Sequence, residues 1–285
     1  MKMKLAKMGF YLFASLSLLI SCTKSTVKNN NTANTNNSDS SQSISLVKNV
    51  TQITSDSATG AIKDSSTWQY SYDGQDHCIS IIHYTSSNTF APNDTTNITY
   101  SGQTITVWEH AGTTSGYYYI YYLNATGTLV DSAVAGGIYP SPPNGVSIYT
   151  YDTNGYLIKE YDYALGNLAD SVLINYTITG GNTVSEIENQ NEGNGDPVMN
   201  EIYDNSYSTI KTNQNVIVGF YGNNHVLGHS NVNYIQSSNI QTLVGGNLIQ
   251  TYSFTFDSSN RPIKEILLES GLLHPIIYTT TSTYY

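Results

Sequence analysis

Acidic residues and histidines are the side chains of this sequence that could carry catalysis, and their spacing matches no common reaction centre. Glu186 and Glu188 stand two positions apart, so a strand would place both on one face, and Glu186 could pair with another acid as in glycoside hydrolysis. The chain has no Gly-x-Ser-x-Gly, no His-Glu-x-x-His and no phosphate-binding loop. Because any acidic chain offers chance carboxylate pairs, we predict that the protein is not an enzyme.

Metal binding would need His, Cys or acidic side chains at ligand spacing. His77 and His83 share a strand face, as do His225 and His229, but neither pair has a Cys or a carboxylate nearby at that spacing. The loop 192–196 (EGNGD) offers oxygen ligands for calcium but lacks the order of an EF-hand. We therefore predict no metal site and no cofactor.

The N-terminal segment carries export and anchoring chemistry. Three lysines precede an apolar run, residues 10–20, that has the length of a signal peptide and is too short to span a bilayer as a mature helix. The run ends in Leu19-Ile20-Ser21-Cys22, which resembles the lipobox of bacterial lipoproteins. In that family the chain is cut before the Cys, whose thiol and new amino group are then acylated. The resemblance implies a signal peptide over residues 1–21 and lipidation of Cys22, with palmitate-type acyl chains as the membrane anchor.

The residues after Cys22 indicate where the anchored chain resides. Thr23, not Asp, follows the Cys, which by the same resemblance favours the outer membrane. No acidic cluster follows, which favours the periplasmic face over the cell surface. Residues 22–44 comprise the lipidated Cys and a stretch dominated by Asn, Ser and Thr that cannot form a core, so we interpret them as a flexible tether.

The overall composition excludes several classes of protein. The chain has 285 residues, with 11 Lys and Arg against 21 Asp and Glu, and this negative balance disfavours binding to nucleic acid. A hydrophobic share of 39% and an aromatic share of 12% argue against a chain that is disordered throughout. Two Cys residues are too few for a disulfide scaffold.

Residues 45–285 have one uniform texture of short strands and turns, and we predict a single all-β domain. Apolar residues alternate with Ser, Thr or Asn, which is the period of half-buried strands, and no window shows helical periodicity. The segment 149–160 aligns without gaps with 254–265, and Asp152 and Asp257 begin the turn in each copy. Gly-containing turns at 180–181 and 245–246 indicate further hairpins. Sequential hairpins predict an antiparallel meander of roughly 14–18 strands, open or closed into a barrel, without long helices after the signal peptide; a sandwich of two sheets is the alternative.

Two families resemble this pattern. The repeat Tyr149-Thr-Tyr151-Asp152-Thr-Asn-Gly155-Tyr-Leu157 is similar to the tyrosine-aspartate (YD) repeats that build shells in large secreted toxins, although the Gly-Arg-Leu centre of those repeats is absent. Together with the lipobox, the chain length and the strand-like Tyr-Tyr ending, the domain more closely resembles a Gram-negative lipoprotein family of unknown function with a porin-like fold. This resemblance implies a lipidated N-terminus followed by an extended meander, and it assigns no activity.

Aromatic residues at alternate positions form a candidate binding platform. Strand alternation places the members of each group on one face, so that adjacent hairpins could align them into ladders that stack sugars or peptides. The alternative is that they form the core of the sheet. The candidate residues are Trp68, Tyr70, Tyr72, Tyr117, Tyr119, Tyr121, Tyr149 and Tyr151.

Four Asp-Ser or Asp-Thr sites followed by Ala, Thr or Val resemble the O-glycosylation acceptors of certain exported Gram-negative proteins. The candidate acceptors are Ser57, Thr95, Ser132 and Ser171.

The sequence thus predicts a lipid-anchored outer-membrane lipoprotein, a non-enzymatic binding or scaffold module whose partner is the membrane and, beyond it, a glycan or an envelope protein. The alternatives are an integral outer-membrane β-barrel, for which the aromatic C-terminal strand argues, and a carbohydrate-binding or carbohydrate-active protein. Outward-facing Thr, Ser and Asn argue against the integral barrel.

Overall fold

The computed structural model describes residues 45–86, 94–110, 116–137, 142–192, 199–212, 216–217, 227–229, 231–242, 246–271 and 275–285. Every regular element in these residues is a β-strand, and none of them forms a helix that is long and apolar enough to cross a membrane. The strands are β1 (Ser45–Asp56), β2 (Ile62–Tyr72), β3 (Cys78–Thr85), β4 (Asp94–Ser101), β5 (Thr104–Glu109), β6 (Tyr117–Leu123), β7 (Val130–Gly136), β8 (Pro143–Tyr151), β9 (Leu157–Ala164), β10 (Asn167–Thr179), β11 (Asn182–Glu192), β12 (Met199–Lys211), β13 (Val216–Ile217), β14 (Asn233–Thr242), β15 (Gly246–Phe256), β16 (Pro262–Ser270) and β17 (Ile276–Tyr284).

Sixteen of these strands close into an antiparallel barrel. Neighbours in the chain pair with each other, β12 pairs directly with β14, and β1 pairs with both β2 and β17. Thr51, for example, lies opposite Thr67 on one side and Thr281 on the other. The prediction of an all-β antiparallel meander is confirmed, and the meander is closed. Closure leaves none of the sixteen strands as an unpaired edge.

The two ends of the barrel differ in their connections. We call the end where β1 begins and β17 ends the base, and the opposite end the rim. At the base, six connections are short turns, and they are residues 73–77, 102–103, 124–129, 152–156, 180–181 and 257–261.

The Asp-initiated turns at the base have the predicted geometry. The Asp152 carboxylate accepts hydrogen bonds from the backbone N–H groups of Asn154 (2.8 Å) and Tyr156 (2.9 Å), and Gly155 adopts a positive φ of 83°. Asp257 accepts in the same way from Ser259 and Arg261, at 2.9 Å each. An Asp side chain that bonds the backbone two residues on fixes a tight turn. The repeat seen in the sequence is therefore a repeat of turns at one end of the barrel.

Described parts of the connection between β12 and β14 contact the base at two positions. Val216 and Ile217 form β13, which pairs in parallel with Ser45 and Leu46 at the start of β1. Further along, the N–H of His229 donates to the carbonyl of Gly155 in the β8–β9 turn at 2.8 Å. The first attachment is at β1 and the second is at the β8–β9 turn. Seven of the sixteen strands, β2 to β8, lead from one to the other, so the two attachments lie on nearly opposite sides of the barrel. The described parts of this connection therefore contact the base at two distant positions.

Close approach at the second attachment depends on glycine. A Cβ at Gly228 would lie 2.9 Å from the carbonyl oxygen of Gly155 and 2.9 Å from the N of Leu157. Gly228 also has a φ of +94°, a conformation that other residues rarely adopt. Leu227 beside it packs against the main apolar cluster of the barrel.

The strand register divides the side chains into an inner and an outer face. Residues directly opposite each other in an antiparallel pair share a face, and following the partners around the ring gives two continuous sets. One set contains Val50 and Val107, which are 0% and 1% exposed, and it forms the inner face around the lumen. The other contains Ile148 and Ile249, which are 43% and 45% exposed, and it forms the outer face.

The buried apolar cluster of the inner face lies on β1 to β7, and Tyr149 of β8 packs against it, so we call β1 to β8 the apolar arc. Its members are Val47, Val50, Tyr70, Cys78, Ile98, Ile105, Val107, Tyr121, Val130 and Ala133. A smaller cluster joins Ile235, Tyr252 and Leu267 on β14 to β16. Burial of these side chains supplies the main stabilisation of the barrel.

The outer face is rich in uncharged polar side chains. On β2, β4 and β14 the outward positions include Thr67 and Gln69, Asn97 and Thr99, and Asn239 and Gln241. Lys159, Asp204 and Lys264 also point outward and are exposed. Apolar outward residues such as Ile187 and Leu268 occur on other strands, so the outer face has apolar positions but no belt of them that continues through every strand.

Candidate ligand-binding site in the barrel lumen

Five carboxylates line the inner face of β9, β11 and β12, and we call them the acidic wall. The members are Glu160, Asp162, Glu186, Glu188 and Glu201. The strand register places Glu188 directly opposite Glu201, and Tyr176 of β10 directly opposite Glu186. All five side chains are half-buried. Period-two alternation thus concentrates negative charge on one part of the lumen wall.

Tyrosine hydroxyls orient the carboxylates of the wall. The Tyr176 hydroxyl donates to Oε2 of Glu160 at 3.2 Å, and the Tyr203 hydroxyl donates to Oε2 of Glu201 at 2.7 Å. These phenols hold the carboxylates in fixed positions, while the ring faces of the tyrosines remain part of the lumen lining.

Burial raises the pKa of three of the wall carboxyls, those of Glu160, Asp162 and Glu186. The pKa of Glu160 rises to about 8, first because of burial and then because of the charge of Asp162. The pKa of Asp162 rises to about 6 by burial. That of Glu186 rises to about 7, by burial and then by the charges of Glu188 and Glu201. Placing like charges together out of bulk water disfavours ionisation.

The cationic side chains of the described residues lie elsewhere. Arg261 is held in its turn, where its Nε donates to Oδ2 of Asp257 at 2.6 Å. The other cationic side chains, which are Lys48, Lys63, Lys159, Lys211 and Lys264, are all exposed.

Besides Asp162 of the wall, three side chains of the inner face have a buried polar atom without a hydrogen-bond partner among the described residues, and they are His83, Ser238 and Glu265. Glu265 of β16 is 6% exposed, and its Oε2 accepts no hydrogen bond. Ser238 of β14 is 3% exposed, and its Oγ is likewise without a partner. Burial alone raises the pKa of Glu265 to about 7. Buried polar groups are nearly always satisfied, so Glu265 and Ser238 are exceptions among the described residues.

A second polar cluster lies at the rim of the apolar arc. No pattern in the sequence predicts it as a group. The ring of His83 stacks on Trp68 with centroids 4.8 Å apart, and Asp94 lies opposite His83 in the register. Oδ1 of Asp94 is 2.9 Å from Nδ1 of His110. Burial and then the charge of Asp94 raise the pKa of Glu109 to about 7. Only the strand register brings these separated residues together.

The predicted aromatic platform lies on the inner face, and the prediction that each group shares a face agrees with the register. Tyr70 and Tyr121, 2% and 7% exposed, belong to the apolar cluster. The side chains that pack against this cluster include Trp68, Tyr72, Tyr119 and Tyr149. The hydroxyl of Tyr151 donates to the carbonyl of Val130 at 2.9 Å, and Tyr117 near the rim is 48% exposed. The structure thus places most of these rings in the core, and a role in ligand stacking stays a prediction.

The candidate acceptors for glycosylation occupy the turn after β1 and the outer face. Ser57 lies in the β1–β2 turn, and Thr95, Ser132 and Ser171 point outward opposite Ile82, Ile148 and Tyr163, respectively. All four are half-buried. Their modification stays a prediction.

Several predicted sites lie outside the described residues. Cys22, the signal peptide, the tether and His225 are among them, as is most of the loop 192–196. Of the other predicted histidines, His77 has its Nδ1 3.1 Å from Oδ2 of Asp73 in a base turn. Within the described part of the chain, no group of three or more His, Cys, Asp or Glu residues is arranged to hold a metal ion.

Comparison with known proteins identifies the fold. No protein-family model matches the sequence, and no curated protein matches it. The crystal structure of a porin-like protein from Bacteroides uniformis superimposes with a TM-score of 0.60 at 12% sequence identity, covering 84% of this chain and 96% of that one. A porin-like protein from Bacteroides vulgatus gives a TM-score of 0.55 at 13% identity, covering 85% of this chain and 99% of that one. The fold is that of a porin-like β-barrel. The porin-like fold expected from the resemblance is confirmed, while membership of the lipoprotein family and the likeness to YD repeats stay predictions.

Proposed function

We propose that this porin-like barrel is a lipid-anchored, non-enzymatic binding module of the outer membrane. In this proposal the acyl chains on Cys22 hold the protein at the periplasmic face, the barrel stands beside the bilayer, and its lumen receives the ligand. The observation that carries the proposal is the outer face, where the exposed residues Gln69, Asn97 and Gln241 occupy positions that would contact lipid in an integral barrel.

The cost of burying those side chains in hydrocarbon supports an aqueous environment around the barrel. Amide and hydroxyl groups without partners in hydrocarbon cost several kcal/mol each, on the order of 2–7, and lipid offers no hydrogen bonds. Exposed Lys159 and Asp204 would add the larger cost of a charge. Strand length supports the same conclusion, because a spanning strand needs about 9–11 residues. β5, β6 and β7 have 6, 7 and 7 residues.

Solubility tests the proposal. A shortened chain that begins at residue 23 contains all seventeen strands but lacks the acylated Cys. We expect it to purify without detergent as a folded β-protein by circular dichroism. Aggregation that only detergent relieves would contradict the proposal.

Acylation is tested separately in the full-length chain. We expect an alkyne-labelled palmitate to label the wild type and not the Cys22→Ala variant. A control variant, Cys78→Ala, should be labelled like the wild type, because Cys78 is 1% exposed inside the barrel.

An integral outer-membrane barrel is the second candidate, and two observations favour it. The ring has an even number of strands, and both ends of the described chain, Ser45 and Tyr285, lie at the base with the short turns. Integral barrels share these features. Exposed Ile148, Ile187 and Ile249 on the outer face are compatible with lipid. This candidate predicts that the chain that begins at residue 23 needs detergent, so the same solubility test separates the two functions.

A further inference from the structure

We propose that the lumen is a cup, which residues 227–229 close at the base and which a ligand enters from the rim. We call residues 227–229 the base plug. The inference deepens the proposed function and rests on it in one respect, since a lumen closed at one end holds a ligand but passes no solute through the barrel. It follows from the burial of the lumen at the base, the contacts of the base plug, and the exposure of the lumen at the rim.

Inner-face side chains are fully covered at the base of the apolar arc. Val47, Cys78 and Val130 lie at or near the base ends of β1, β3 and β7, and they are 0%, 1% and 0% exposed. A barrel of about sixteen strands is wide enough to leave an aqueous channel, so side chains at an open mouth would meet water. The burial of these three residues therefore means that protein atoms cover the lumen here.

Three tyrosines supply part of this cover. Tyr72, Tyr100 and Tyr151 lie at the base ends of β2, β4 and β8. Their hydroxyls donate to the backbone carbonyls of the three buried residues, at 2.9, 3.0 and 2.9 Å, respectively. Each hydrogen bond joins the end of one strand to the start of the strand before it, so the phenols are fixed at the base.

The base plug supplies a further part. Leu227 packs against the apolar cluster that contains the three buried residues. Gly228 is buried, and a Cβ at this position would lie 3.1 Å from Cε1 of Tyr151. The β12–β14 connection leaves β12 and enters β14 at the base, so Leu227 reaches the inner face from that end. The base plug therefore covers the lumen at the same end as the tyrosines.

Backbone hydrogen bonds to two base turns hold the plug in place. The N–H of His229 donates to the carbonyl of Gly155 in the β8–β9 turn at 2.8 Å. Where the chain returns to β14, the N–H of Val232 donates to the carbonyl of Gly181 in the β10–β11 turn at 3.0 Å. The chain is thus fixed on the C-terminal side of Leu227 at two consecutive turns of the base.

The rim of the apolar arc is more exposed. Tyr117 begins β6 at the rim, opposite Glu109 on the inner face, and is 48% exposed. The side chain of His110, which follows β5, is 40% exposed. These rim residues are accessible to solvent, whereas the inner-face residues at the base ends of β1, β3 and β7 are not. The rim is therefore the end from which a solute reaches the lumen.

Thiol labelling at the two ends of the lumen tests the inference. In the full-length chain with Cys22→Ala, Cys78 at the base is the only thiol. A second chain with Cys22→Ala, Cys78→Ala and Tyr117→Cys carries its only thiol at the rim. We expect N-ethylmaleimide to label the rim thiol at least a hundredfold faster than Cys78, because a covered thiol reacts only when its cover opens. Mass spectrometry measures the rates.

Substitution in the base plug should expose the base. Gly228→Ala places a Cβ 2.9 Å from the carbonyl oxygen of Gly155, so the plug must move and labelling of Cys78 should rise at least tenfold. The matched control is Gly166→Ala, because Gly166 has nearly the same φ, +92° against +94°, but nothing within 4 Å of the added Cβ. The control should leave the labelling rate unchanged. Circular dichroism shows that each variant keeps its β-structure.

A second pair of variants keeps the test decisive if Gly228→Ala does not fold. Leu227→Ala removes the apolar contact of the plug and should also speed the labelling of Cys78. Its control is Leu165→Ala, at an exposed position in the β9–β10 turn of the rim. Neither variant should change the labelling of the thiol at position 117.

Three outcomes would overturn the inference. They are labelling of Cys78 in the folded chain as fast as labelling of the rim thiol, equal effects of Gly228→Ala and Gly166→Ala, and no effect of either plug variant. The proposed function can fail separately, because a chain that needs detergent can be labelled in detergent. A chain that is soluble but has a readily labelled Cys78 would leave the anchored module in place and remove only the closed base.

Discussion

Two parts of the same inner face are built from different chemistry. The apolar arc, β1 to β8, presents a closely packed cluster in which Val47, Val50 and Val130 are fully buried. β9 to β12 present the acidic wall at equivalent positions of the same alternating pattern. The first arrangement stabilises the barrel, whereas the second opposes folding. A chain that keeps the second arrangement gains something other than stability from it, and ligand binding is the gain that we propose.

A charge in the apolar arc is the most severe test of this difference. Val50→Glu places a carboxylate in the apolar cluster, opposite Trp68 and Ser282, at a side chain that is 0% exposed. We expect loss of the folded barrel, because an unpaired buried charge costs several kcal/mol, on the order of 3–5. Circular dichroism and thermal melting show whether the variant still folds into the barrel. Gln69→Glu, on the exposed outer face, is the control and should stay within about 0.5 kcal/mol of the wild type. Equal effects of the two variants would remove the distinction between the faces.

The reverse change in the acidic wall should stabilise the protein. Glu186→Leu removes a half-buried carboxyl that stands between Tyr176 and Tyr203. At pH 8 we expect the free energy of unfolding to rise by about 1–3 kcal/mol, since apolar replacement of buried charge is often stabilising. Urea denaturation measures it, with Asp204→Asn as the matched outer-face variant. Destabilisation by Glu186→Leu alone would mean that the wall is structural.

The β8–β9 turn joins the apolar arc to the first strand of the acidic wall. A change in this turn should alter the free energy of unfolding the least. Asp152 begins the β8–β9 turn and accepts two backbone hydrogen bonds, from Asn154 and Tyr156. Asp152→Ala should lower the free energy of unfolding by about 1–2 kcal/mol, the net worth of two hydrogen bonds. Thermal melting compares it with Thr153→Ala, which changes an exposed neighbour and should be neutral. No difference between them would show that the carboxylate does not fix the turn.

Local patterns in the sequence predicted much of the fold. Alternation indicated the strands, and the Asp and Gly positions of segments 149–160 and 254–265 indicated turns whose geometry the structure confirms. Closure was left open, because it depends on the pairing of β1 with β17, more than 200 positions apart in the chain. Such a contact leaves no mark in any short window of sequence.

The candidate site was only partly visible in the sequence. Glu186 and Glu188 were recognised as sharing a face, but their neighbours Glu160, Asp162 and Glu201 come from other strands. Which acids meet is set by strand register, and register is fixed by turn lengths and bulges that composition does not reveal. A useful signal was present nonetheless. Acids at alternate positions on several consecutive strands of one meander form one wall when every strand places its acids on the same side of the sheet.

The pH dependence of stability tests the central claim most directly. Glu109, Glu160, Asp162, Glu186 and Glu265 have pKa values that burial raises. The folded chain therefore holds more protons than the unfolded chain between about pH 4 and pH 8, and stability is lost as the pH rises through this range. Two sets of groups act in the opposite sense. Burial lowers the pKa of His83, but this is a single group. The turn carboxylates have pKa values that backbone hydrogen bonds lower, and these carboxylates affect stability only below about pH 4.

The measurement is thermal melting, without detergent, of the chain that begins at residue 23, from pH 5 to pH 8.5. We predict that the melting temperature falls by several degrees as the pH rises, because Glu160, Asp162 and Glu186 hold their protons more tightly in the folded chain than in the unfolded chain. A melting temperature that rises with pH would contradict the account.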